Sequence, residues 1–322
     1  MLYIPNCCIS AAYNQAFEQV VFEEFTSGDI LLVWRNSPAV VCGRNQNIFA
    51  ETDVIHTLQS GVSIVRRDTG GGCVYHDLGN VNYAIISDSN GLNVSYDRFL
   101  DTVIEALRYI GVPAHRSKAC DIAIDGMKIS GSAQRQTKDR VLHHGTLLFS
   151  TDIDALFEFL PDKSLSFNSK SIASNRSKVT NISLHTSAFS STEDFMDRFI
   201  SALVDRENGA VSKASDDLIK KASELTETKY EAWDWTYGKN PAFSRTVNKS
   251  GLSLEYSSKR GRITELVLKK GNEQVASANA LLNARLERRE IEEACEEAFG
   301  CNELASDVFH MRFDYNSEDT VK

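Results

Sequence analysis

Three consecutive glycines, Gly70 to Gly72, interrupt the chain directly after the pair Arg66-Arg67. Glycine has no side chain to bury and loses more backbone freedom on folding than any other residue, so packing does not explain a glycine triplet. Short apolar segments stand on either side, over 63–67 and 73–75, and both are predicted to be strands. The sequence therefore predicts a strand–loop–strand unit in which a ligand approaches bare backbone N–H groups. A plain flexible hairpin is the alternative.

A second run of small residues, Lys128-Ile129-Ser130-Gly131-Ser132-Ala133, follows a predicted tight turn at Asp125-Gly126. Buried lysines are rare, and an ammonium among small neighbours leaves room for carboxyl and phosphate oxygens. Asp121 lies across the same predicted hairpin, where it could orient Lys128 or a metal-bound phosphate. We therefore predict that Lys128 supplies a cation where negative charge develops. The alternative is a solvated lysine on the face of a strand.

Two arginines and three histidines are further candidates. Strand alternation places Arg66 and Arg67 on opposite faces, so only one can point into a given site and the other must be solvated or paired. An arginine before a glycine loop suits a phosphate or carboxylate, because its planar fork donates two hydrogen bonds at once. His76 follows the second strand, and one of His143 and His144 is expected to face the site while the other faces outside. A structural role is the alternative for each histidine.

Strand-like and helix-like segments alternate irregularly, so a doubly wound dinucleotide fold is not favoured. The predicted fold class is α/β of the α+β type, a large domain with mixed central β-sheets flanked by helices. Residues 1–244 are predicted to form that domain, and residues 245–322 are predicted to form a small α+β domain. Helices are predicted over 11–25, 48–60, 95–110, from 152 onward, and over 286–299. Strands are predicted over 29–35, 39–43, 63–67, 73–75, 81–86, 121–124, 128–129, 141–150, 252–256 and 263–268.

The composition excludes several classes. The 322 residues are 42% hydrophobic and 25% charged, which is ordinary for a soluble globular enzyme. A formal charge of −9 argues against general nucleic-acid binding. No apolar run approaches the ~20 residues of a membrane span, and the N-terminus lacks secretory and transit signals, so a cytoplasmic location is expected. The seven cysteines are odd in number and lack CxxC spacing, so neither a disulfide framework nor a zinc site is predicted.

One basic segment contrasts with the acidic total. Lys163, Lys170, Arg176 and Lys178 lie among serines and asparagines, with no acid after Asp162. This pattern fits a solvated loop. It also fits a mobile loop that meets phosphate or an acidic partner.

Four strings of this sequence resemble those of the lipoate–protein ligase family, which is related to the biotin protein ligases. They are RRDTGGGCVYHDLGNVNY (66–83), KISGSAQRQTKDRVLHHGTLL (128–148), SIASNRSKVTN (171–181) and WDWTYGKNPAF (233–243). The likeness covers residues 10–243 clearly, and the tail resembles the small C-terminal domain of two-domain members. Cys73 departs from the alanine or threonine that usually follows the glycines in the family.

This resemblance implies a biotin/lipoate ligase-like fold and a two-step reaction through an acyl-adenylate. The carboxylate of free lipoate attacks the α-phosphate of ATP, with Mg²⁺ as cofactor, and pyrophosphate leaves. The lipoyl group then passes to a specific lysine of an acceptor protein. The acceptors implied are the lipoyl domains of 2-oxoacid dehydrogenase E2 subunits and the glycine-cleavage H protein.

The resemblance also assigns roles to residues. Lys128 is the implied catalytic residue, which bridges the carboxyl group and the α-phosphate. The basic segment resembles the family's loop that covers the adenylate. No Mg²⁺ ligand is assigned. The residues implied to bind substrate or ATP are Arg67, Gly70, Gly71, Gly72, Cys73, Val74, Tyr75, His76, Asp121 and Lys128. The candidates for an apolar slot around the dithiolane and its tail are Val40, Val74, Val81 and Leu147.

Two other functions stay open at this point. Some relatives transfer octanoyl groups through a cysteine thioester, and Cys120 is the candidate nucleophile for a cysteine-dependent octanoyl or lipoyl transferase. In octanoyltransferases whose cysteine precedes Phe-His-Gly, the matching position here is Val141, which disfavours that class. A non-catalytic binder of lipoate or lipoyl domains is the third reading, and Lys128 disfavours it because binding alone does not need this lysine.

Overall fold

The computed structural model describes residues 1–89, 91, 94–117, 121–161, 167–169, 177–249, 252–270, 273–274 and 281–299. In chain order its strands are β1 (Leu2–Tyr3), β2 (Ile30–Trp34), β3 (Ala39–Cys42), β4 (Ser63–Arg66), β5 (Cys73–His76), β6 (Asn80–Asp88), β7 (His115–Arg116), β8 (Ile122–Ile124), β9 (Met127–Ser130), β10 (Ser132–Gln136), β11 (Arg140–Leu148), β12 (Phe167–Ser169), β13 (Ala210–Val211), β14 (Phe243–Lys249), β15 (Leu252–Lys259), β16 (Arg262–Lys270) and β17 (Glu273–Gln274). The α-helices are α1 (Ala11–Glu24), α2 (Ile48–Glu51), α3 (Val54–Gln59), α4 (Tyr96–Tyr109), α5 (Ile153–Phe159), α6 (Thr192–Arg206), α7 (Asp216–Leu225), α8 (Trp233–Thr236) and α9 (Arg288–Phe299).

The largest sheet has six strands in the order β10-β11-β6-β2-β1-β13. Strands β10, β11, β6 and β2 pair antiparallel, whereas β1 runs parallel to both of its neighbours, so the sheet is mixed. Helices α4 and α6 cover one face, where Phe99 and Phe199 pack against Tyr83. Helices α1 and α7 cover the other, where Phe17 packs with Ile86. The predicted α+β class, with mixed sheets flanked by helices, is confirmed.

A three-stranded sheet, β4-β3-β5, carries the glycine triplet. Strands β3 and β4 run parallel and end at the same edge, and β5 starts at that edge in the opposite direction. The loop from Arg67 to Gly72 therefore crosses the end of β3. A second small sheet, β7-β8-β9, presents Lys128 opposite Ala123.

The C-terminal strands form a five-stranded sheet, β12-β14-β15-β16-β17. Its edge strand β12 comes from the middle of the chain, and β14 begins at Phe243, before the predicted boundary at residue 244. One apolar cluster also joins residues from both sides of that boundary, among them Phe49, Tyr256 and Ile263. The division into two domains stays a prediction, since shared packing does not define independent folding units.

Most predicted elements agree with the structure to within two residues, and one helix does not. The predicted helix over 48–60 is two helices, α2 and α3, separated at Thr52-Asp53. The backbone of Thr52 is extended, and the Asp53 side chain accepts a hydrogen bond from the His56 N–H and so caps a new helix. Apolar spacing alone does not reveal this break, because the aspartate cap lies inside the periodic pattern.

The expectation of no disulfide was wrong for one pair. Cys42 and Cys73 are bonded to each other and lie directly opposite in the β3–β5 ladder. They are 31 positions apart in sequence, so cysteine spacing gave no sign that strand register brings them together. Separately, no helix in the described part of the chain is long and apolar enough to cross a bilayer.

Candidate active site

A cavity of about 190 Å³ opens where the glycine loop, the end of the six-stranded sheet and the β8–β9 hairpin meet. Backbone, aromatic, amide and charged groups all contribute to its wall, so it offers both polar and apolar contacts. Its lining residues are Gln15, Trp34, Val41, Arg67, Gly71, Gly72, Cys73, Val74, His76, Asn82, Asp121, Lys128, Gly131, Ser132, Ala133, His144, Gly145 and Thr146.

The glycine loop is held against the end of β3 by its backbone. The N–H of Gly43 donates to the carbonyl of Gly72 at 3.1 Å, and the N–H of Arg44 donates to the carbonyl of Thr69 at 2.8 Å. Gly43 is required here, since a Cβ at this position would lie 2.0 Å from the carbonyl oxygen of Gly71. Gly71 has a φ of +95°, which L side chains rarely adopt. These contacts make the loop a fixed cradle.

The Arg67 guanidinium braces this loop from beneath. It donates to the carbonyls of Val41 at 2.9 Å and Gly70 at 2.6 Å, and to the hydroxyl of Thr69 at 3.1 Å. Burial lowers the pKa of Arg67 to about 10, so the side chain stays charged at neutral pH. Three of its five N–H groups are thus used inside the protein, and Arg67 also lines the cavity.

Arg66 points the other way, as strand alternation predicts, but it is neither solvated nor in an acidic pair. Its side chain is fully buried and donates to the carbonyls of Gly43, Gln46 and Thr236 at 2.8 to 3.0 Å. Its own carbonyl accepts from the Trp235 indole N–H at 2.7 Å. Arg66 therefore ties the aromatic segment that contains Trp235 to the base of the glycine loop.

Lys128 lies on β9 with its side chain across Gly131. Its ammonium is 3.0 Å from the Asp121 carboxylate, and both side chains are largely covered, with 26% and 16% exposed. A Cβ on Gly131 would come within 3.2 Å of the Lys128 Nζ, so a larger residue there would crowd the ammonium. The backbone is fixed as well, because its N–H donates to the carbonyl of Lys178 and its carbonyl accepts from Thr180.

A buried chain of hydrogen bonds lies between the cradle and α1. The Thr69 hydroxyl accepts from Arg67 and also lies 2.8 Å from the Nε2 of His144, with which it shares a hydrogen bond. The Nδ1 of His144 donates to the Glu18 carboxylate at 2.7 Å, because an ionised carboxylate only accepts hydrogen bonds. Glu18 is 4% exposed and places a negative charge in the neighbourhood of Arg67.

His76 and His143 are both neutral, but they stand in different places. Burial lowers the pKa of each to about 3. His76 lines the cavity beside the glycine loop. His143 instead stacks on Phe99 with ring centroids 4.9 Å apart, beneath α4, so the expectation that the second histidine of the pair faces outside was wrong. Helices α4 and α6 cover the face of the central sheet on which His143 lies, which is why this face is also buried.

The structure gathers most of the predicted site residues at the cavity and leaves others elsewhere. Gly70 is not part of the lining, and Tyr75 packs on Phe159 in an apolar cluster. Cys120 and the basic residues Lys163, Lys170 and Arg176 lie outside the described residues. Of the four candidates for the apolar slot, Val74 lines the cavity, while Val40, Val81 and Leu147 point into the core, because they lie on the opposite faces of their strands.

Sequence reasoning missed several lining residues. Gln15 and Trp34 come from α1 and β2, which lie outside the four strings that resemble the family. Gly131, Ser132, Gly145 and Thr146 belong to the second string and were quoted without a role. The sequence of α1 does contain an indication of the site, because Asn14, Gln15 and Glu18 are polar residues on a face that is otherwise apolar and buried.

This arrangement suits chemistry on an anionic group. The ammonium of Lys128 and the guanidinium of Arg67 both line the cavity and supply positive charge, and the glycine loop adds backbone to the same wall. Fixed cations and dipoles of this kind stabilise charge that develops during a reaction, since they need no reorganisation at that moment.

Solved structures of other proteins share the fold of this chain. The protein Ta0514 of Thermoplasma acidophilum with bound lipoic acid aligns with a TM-score of 0.62 at 23% identity, over 73% of this chain and 98% of that one. A lipoate protein ligase of the same organism, described with its E2 lipoyl domain, also has a TM-score of 0.62. Lipoate-protein ligase A bound with ATP aligns with a TM-score of 0.61 at 24% identity, over 73% and 96% of the two chains. The fold is that of the lipoate–protein ligases.

Sequence comparison identifies the family to which the chain belongs. Residues 10–204 match the model of the lipoyl protein ligase A/B catalytic domain. Lipoate-protein ligase LplJ of Bacillus subtilis is 34% identical over 275 residues, which cover 82% of this chain and 83% of that protein. The chain belongs to the lipoyl protein ligase A/B family, as the motif resemblance predicted.

Proposed function

We propose that this protein is an ATP-dependent lipoate–protein ligase, which forms lipoyl-AMP and then transfers the lipoyl group to a lysine of an acceptor protein. The observation that carries the proposal is the Lys128–Asp121 pair, which lines the same cavity as the glycine cradle and the Arg67 guanidinium. Membership of the family and relatives named lipoate-protein ligases support the same activity. The neighbours solved with lipoic acid and with ATP support these two substrates.

The first step joins a lipoate carboxylate oxygen to the α-phosphorus of ATP and breaks the bond between that phosphorus and the bridging oxygen of pyrophosphate. Negative charge concentrates on the phosphorus oxygens in the transition state. Lys128 is the group suited to contact both the carboxylate and the α-phosphate, and the cradle N–H groups add dipoles that strengthen as this charge develops. The substrate carboxylate is itself the nucleophile, so this step needs no side-chain nucleophile from the protein.

In the second step the acceptor lysine amine attacks the acyl carbon of lipoyl-AMP, an amide bond forms and AMP leaves with the electron pair of the broken acyl–oxygen bond. Lys128 and Arg67 are suited to stabilise the departing phosphate. Asp121 holds the Lys128 ammonium in place between the two steps, since its carboxylate is the acidic group 3.0 Å from it.

Mg²⁺ is included in the proposal as a companion of ATP. The described residues contain no cluster of three or more metal-ligating side chains, but magnesium commonly binds through one or two carboxylates together with substrate phosphates and water. Asp121 lines the cavity and fits that pattern. The metal would neutralise phosphate charge there.

For the acceptor, the lipoyl domains of E2 subunits are our first proposal, supported by the Thermoplasma ligase described with its E2 lipoyl domain. The glycine-cleavage H protein is proposed as a second acceptor on the motif resemblance alone. A cytoplasmic location stays a prediction of the sequence.

The test is ATP–pyrophosphate exchange that depends on free lipoate, with no acceptor present. We expect exchange by the wild-type protein and a loss of at least about 100-fold in Lys128→Ala, because removal of one preorganised transition-state contact costs about 10²–10³ in rate. Lys213→Ala is the matched control, since Lys213 is exposed and far in sequence from the site elements. Cys120→Ser is expected to keep activity. Exchange that survives Lys128→Ala, or that is absent from the wild type, would contradict the proposal.

A further inference from the structure

Behind His76 lies a line of buried asparagines that no sequence motif singled out. The Nδ2 of Asn14 is 2.7 Å from the Oδ1 of Asn36, and the Nδ2 of Asn36 is 2.8 Å from the Nδ1 of His76. Asn14, Asn36 and His76 are 1%, 0% and 4% exposed, so water does not compete for these bonds. The three side chains form an amide relay that ends at the cavity wall.

The contacts of Asn14 decide which group donates and which accepts in every hydrogen bond of this relay. The Nδ2 of Asn14 also faces two backbone carbonyl oxygens, those of Cys8 at 2.9 Å and Arg35 at 3.3 Å. Carbonyl oxygens only accept hydrogen bonds, so the atom that faces them must be the amide nitrogen. The Asn36 atom that meets this nitrogen must then be the oxygen, which leaves the Asn36 nitrogen to face His76.

This direction fixes the proton on the imidazole ring. Because the Asn36 Nδ2 is a donor, the Nδ1 of His76 has to accept. Burial lowers the pKa of His76 to about 3, so the ring is neutral and carries one proton. That proton must sit on Nε2.

The Nε2–H of His76 is a buried donor with no hydrogen-bond partner among the described residues, and His76 lines the cavity. An unpaired buried N–H is costly, which is why such groups in folded proteins are usually satisfied by protein, water or ligand. The ring nitrogen that is not held by Asn36 is therefore the one left for a bound molecule.

We propose that Asn36, oriented by Asn14, is a positioning residue that locks His76 in the Nε2–H form, so that His76 donates a neutral hydrogen bond to an acceptor oxygen of the bound acyl substrate or nucleotide. The identity of that molecule rests on the proposed ligase function, whereas the locked tautomer does not. A histidine held this way is a fixed donor and not a general acid or base, since it keeps its proton across the neutral range. It complements Lys128 by orienting an oxygen without adding charge.

The tautomer is tested directly by long-range ¹H–¹⁵N NMR of the imidazole nitrogens in the full-length wild-type protein, with His76 assigned from the spectrum of His76→Gln. We expect a single Nε2–H tautomer that is unchanged between pH 8 and pH 5. An Nδ1–H tautomer, a mixture of the two, or a charged ring at pH 6 would overturn the proposal. This measurement does not depend on enzymatic activity, so its result tests the tautomer even if the protein shows no ligase activity.

Two variants test the relay. In Asn36→Leu the donor is lost, and we expect a mixture of tautomers. In Asn6→Ala the relay should persist: Asn6 donates to the outer Oδ1 of Asn14, but the backbone carbonyls already fix the orientation of Asn14. An unchanged His76 spectrum in Asn36→Leu, or an altered one in Asn6→Ala, would contradict the role assigned to Asn36.

Substrate contact is tested by calorimetric titration with lipoate alone and with ATP alone. His76→Leu removes the donor, and we expect affinity for one of the two ligands to fall about 10- to 100-fold, the usual cost of a lost hydrogen bond to a charged group. His76→Gln keeps a neutral N–H near the same place and should retain affinity within about fivefold. The ligand whose affinity falls is the one that supplies the acceptor oxygen. Equal affinities of His76→Leu and wild type for both ligands would remove the substrate contact from the proposal.

Discussion

At the scale of single residues, each charged group at the cavity is held by a partner that sets its place. Asp121 holds Lys128, and the Thr69 hydroxyl joins Arg67 to His144 and through it to Glu18. A buried charge is tolerated only when such partners satisfy it, since an isolated buried ion is far too costly. The residues around the cavity therefore act as a connected set, and the loss of one connector leaves two groups unsatisfied.

The Thr69 connector gives a prediction at this scale. Thr69→Val keeps the shape of the side chain but removes the hydroxyl, which leaves the Arg67 Nε–H and the His144 Nε2 without their shared partner. We expect the free energy of unfolding to fall by about 1–3 kcal/mol. Urea titration followed by circular dichroism measures this change. Thr69→Ser, which keeps the hydroxyl, should lie close to wild type, and equal losses in the two variants would point to packing alone.

At the scale of elements, helices, strands and turns were predicted well wherever local rules decide the outcome. Asp125 and Gly126 have φ values of +49° and +75°, as expected of a tight hairpin turn, and Ser95 caps α4 as its position suggested. Local rules failed at Asp53, where a cap lies inside a periodic apolar pattern, and at Cys42 and Cys73, which only register brings together. Trp34 and Gln15 were missed for the same reason, because long-range packing brings them to the cavity.

The glycine loop as an element yields a sharper prediction. In Gly43→Ala the new Cβ would meet the carbonyl oxygen of Gly71 at 2.0 Å, so the loop must move away from β3. We expect a loss of about 1–3 kcal/mol in the free energy of unfolding, as is typical of overpacking, together with weaker ATP binding in a calorimetric titration.

Gly70→Ala is the matched stability control for this loop. Nothing lies within 4 Å of a Cβ at Gly70, and its φ is not in the left-handed region. The free energy of unfolding should therefore change by less than about 0.5 kcal/mol. If Gly43→Ala were as stable as Gly70→Ala, the close approach of loop and strand would not exist in solution.

At the scale of the whole molecule, the central sheet is covered on both faces, and the C-terminal strands share an apolar cluster with the first half of the chain. The fold class followed from the irregular mixture of helix and strand patterns. The packing of Phe49 with Tyr256 and Ile263 could not be predicted, because no local pattern records which distant apolar residues meet. Burial also keeps His76 and His143 neutral, and the free energy of unfolding therefore depends on pH.

We predict that acid destabilises the protein through these two histidines. In the unfolded chain each takes up a proton below its ordinary pKa of 6.5, while in the folded protein burial lowers each pKa to about 3. The unfolded state thus binds more protons between these values, and the free energy of unfolding should fall as the pH is lowered from 6.5 towards 3, by up to about 1.4 kcal/mol per pH unit for each histidine.

Urea titrations at pH 7.5 and pH 5.0 test this prediction. His143→Phe is the informative variant, since its ring can keep the stack on Phe99 while the titrating group is removed. The loss of stability between the two pH values should be smaller in this variant than in wild type. An equal loss would mean that His143 does not contribute to the acid sensitivity.

The strand bridge between Lys128 and Val179 has a practical consequence. The backbone of Lys128 is hydrogen-bonded on one side to Lys178 and on the other to Thr180, and the side chain of Lys178 is exposed. These two hydrogen bonds would carry a shift of the lysine backbone into this neighbouring segment when a molecule enters the cavity. A fluorescent dye attached at the exposed position 178 would thus serve as an optical reporter of occupancy.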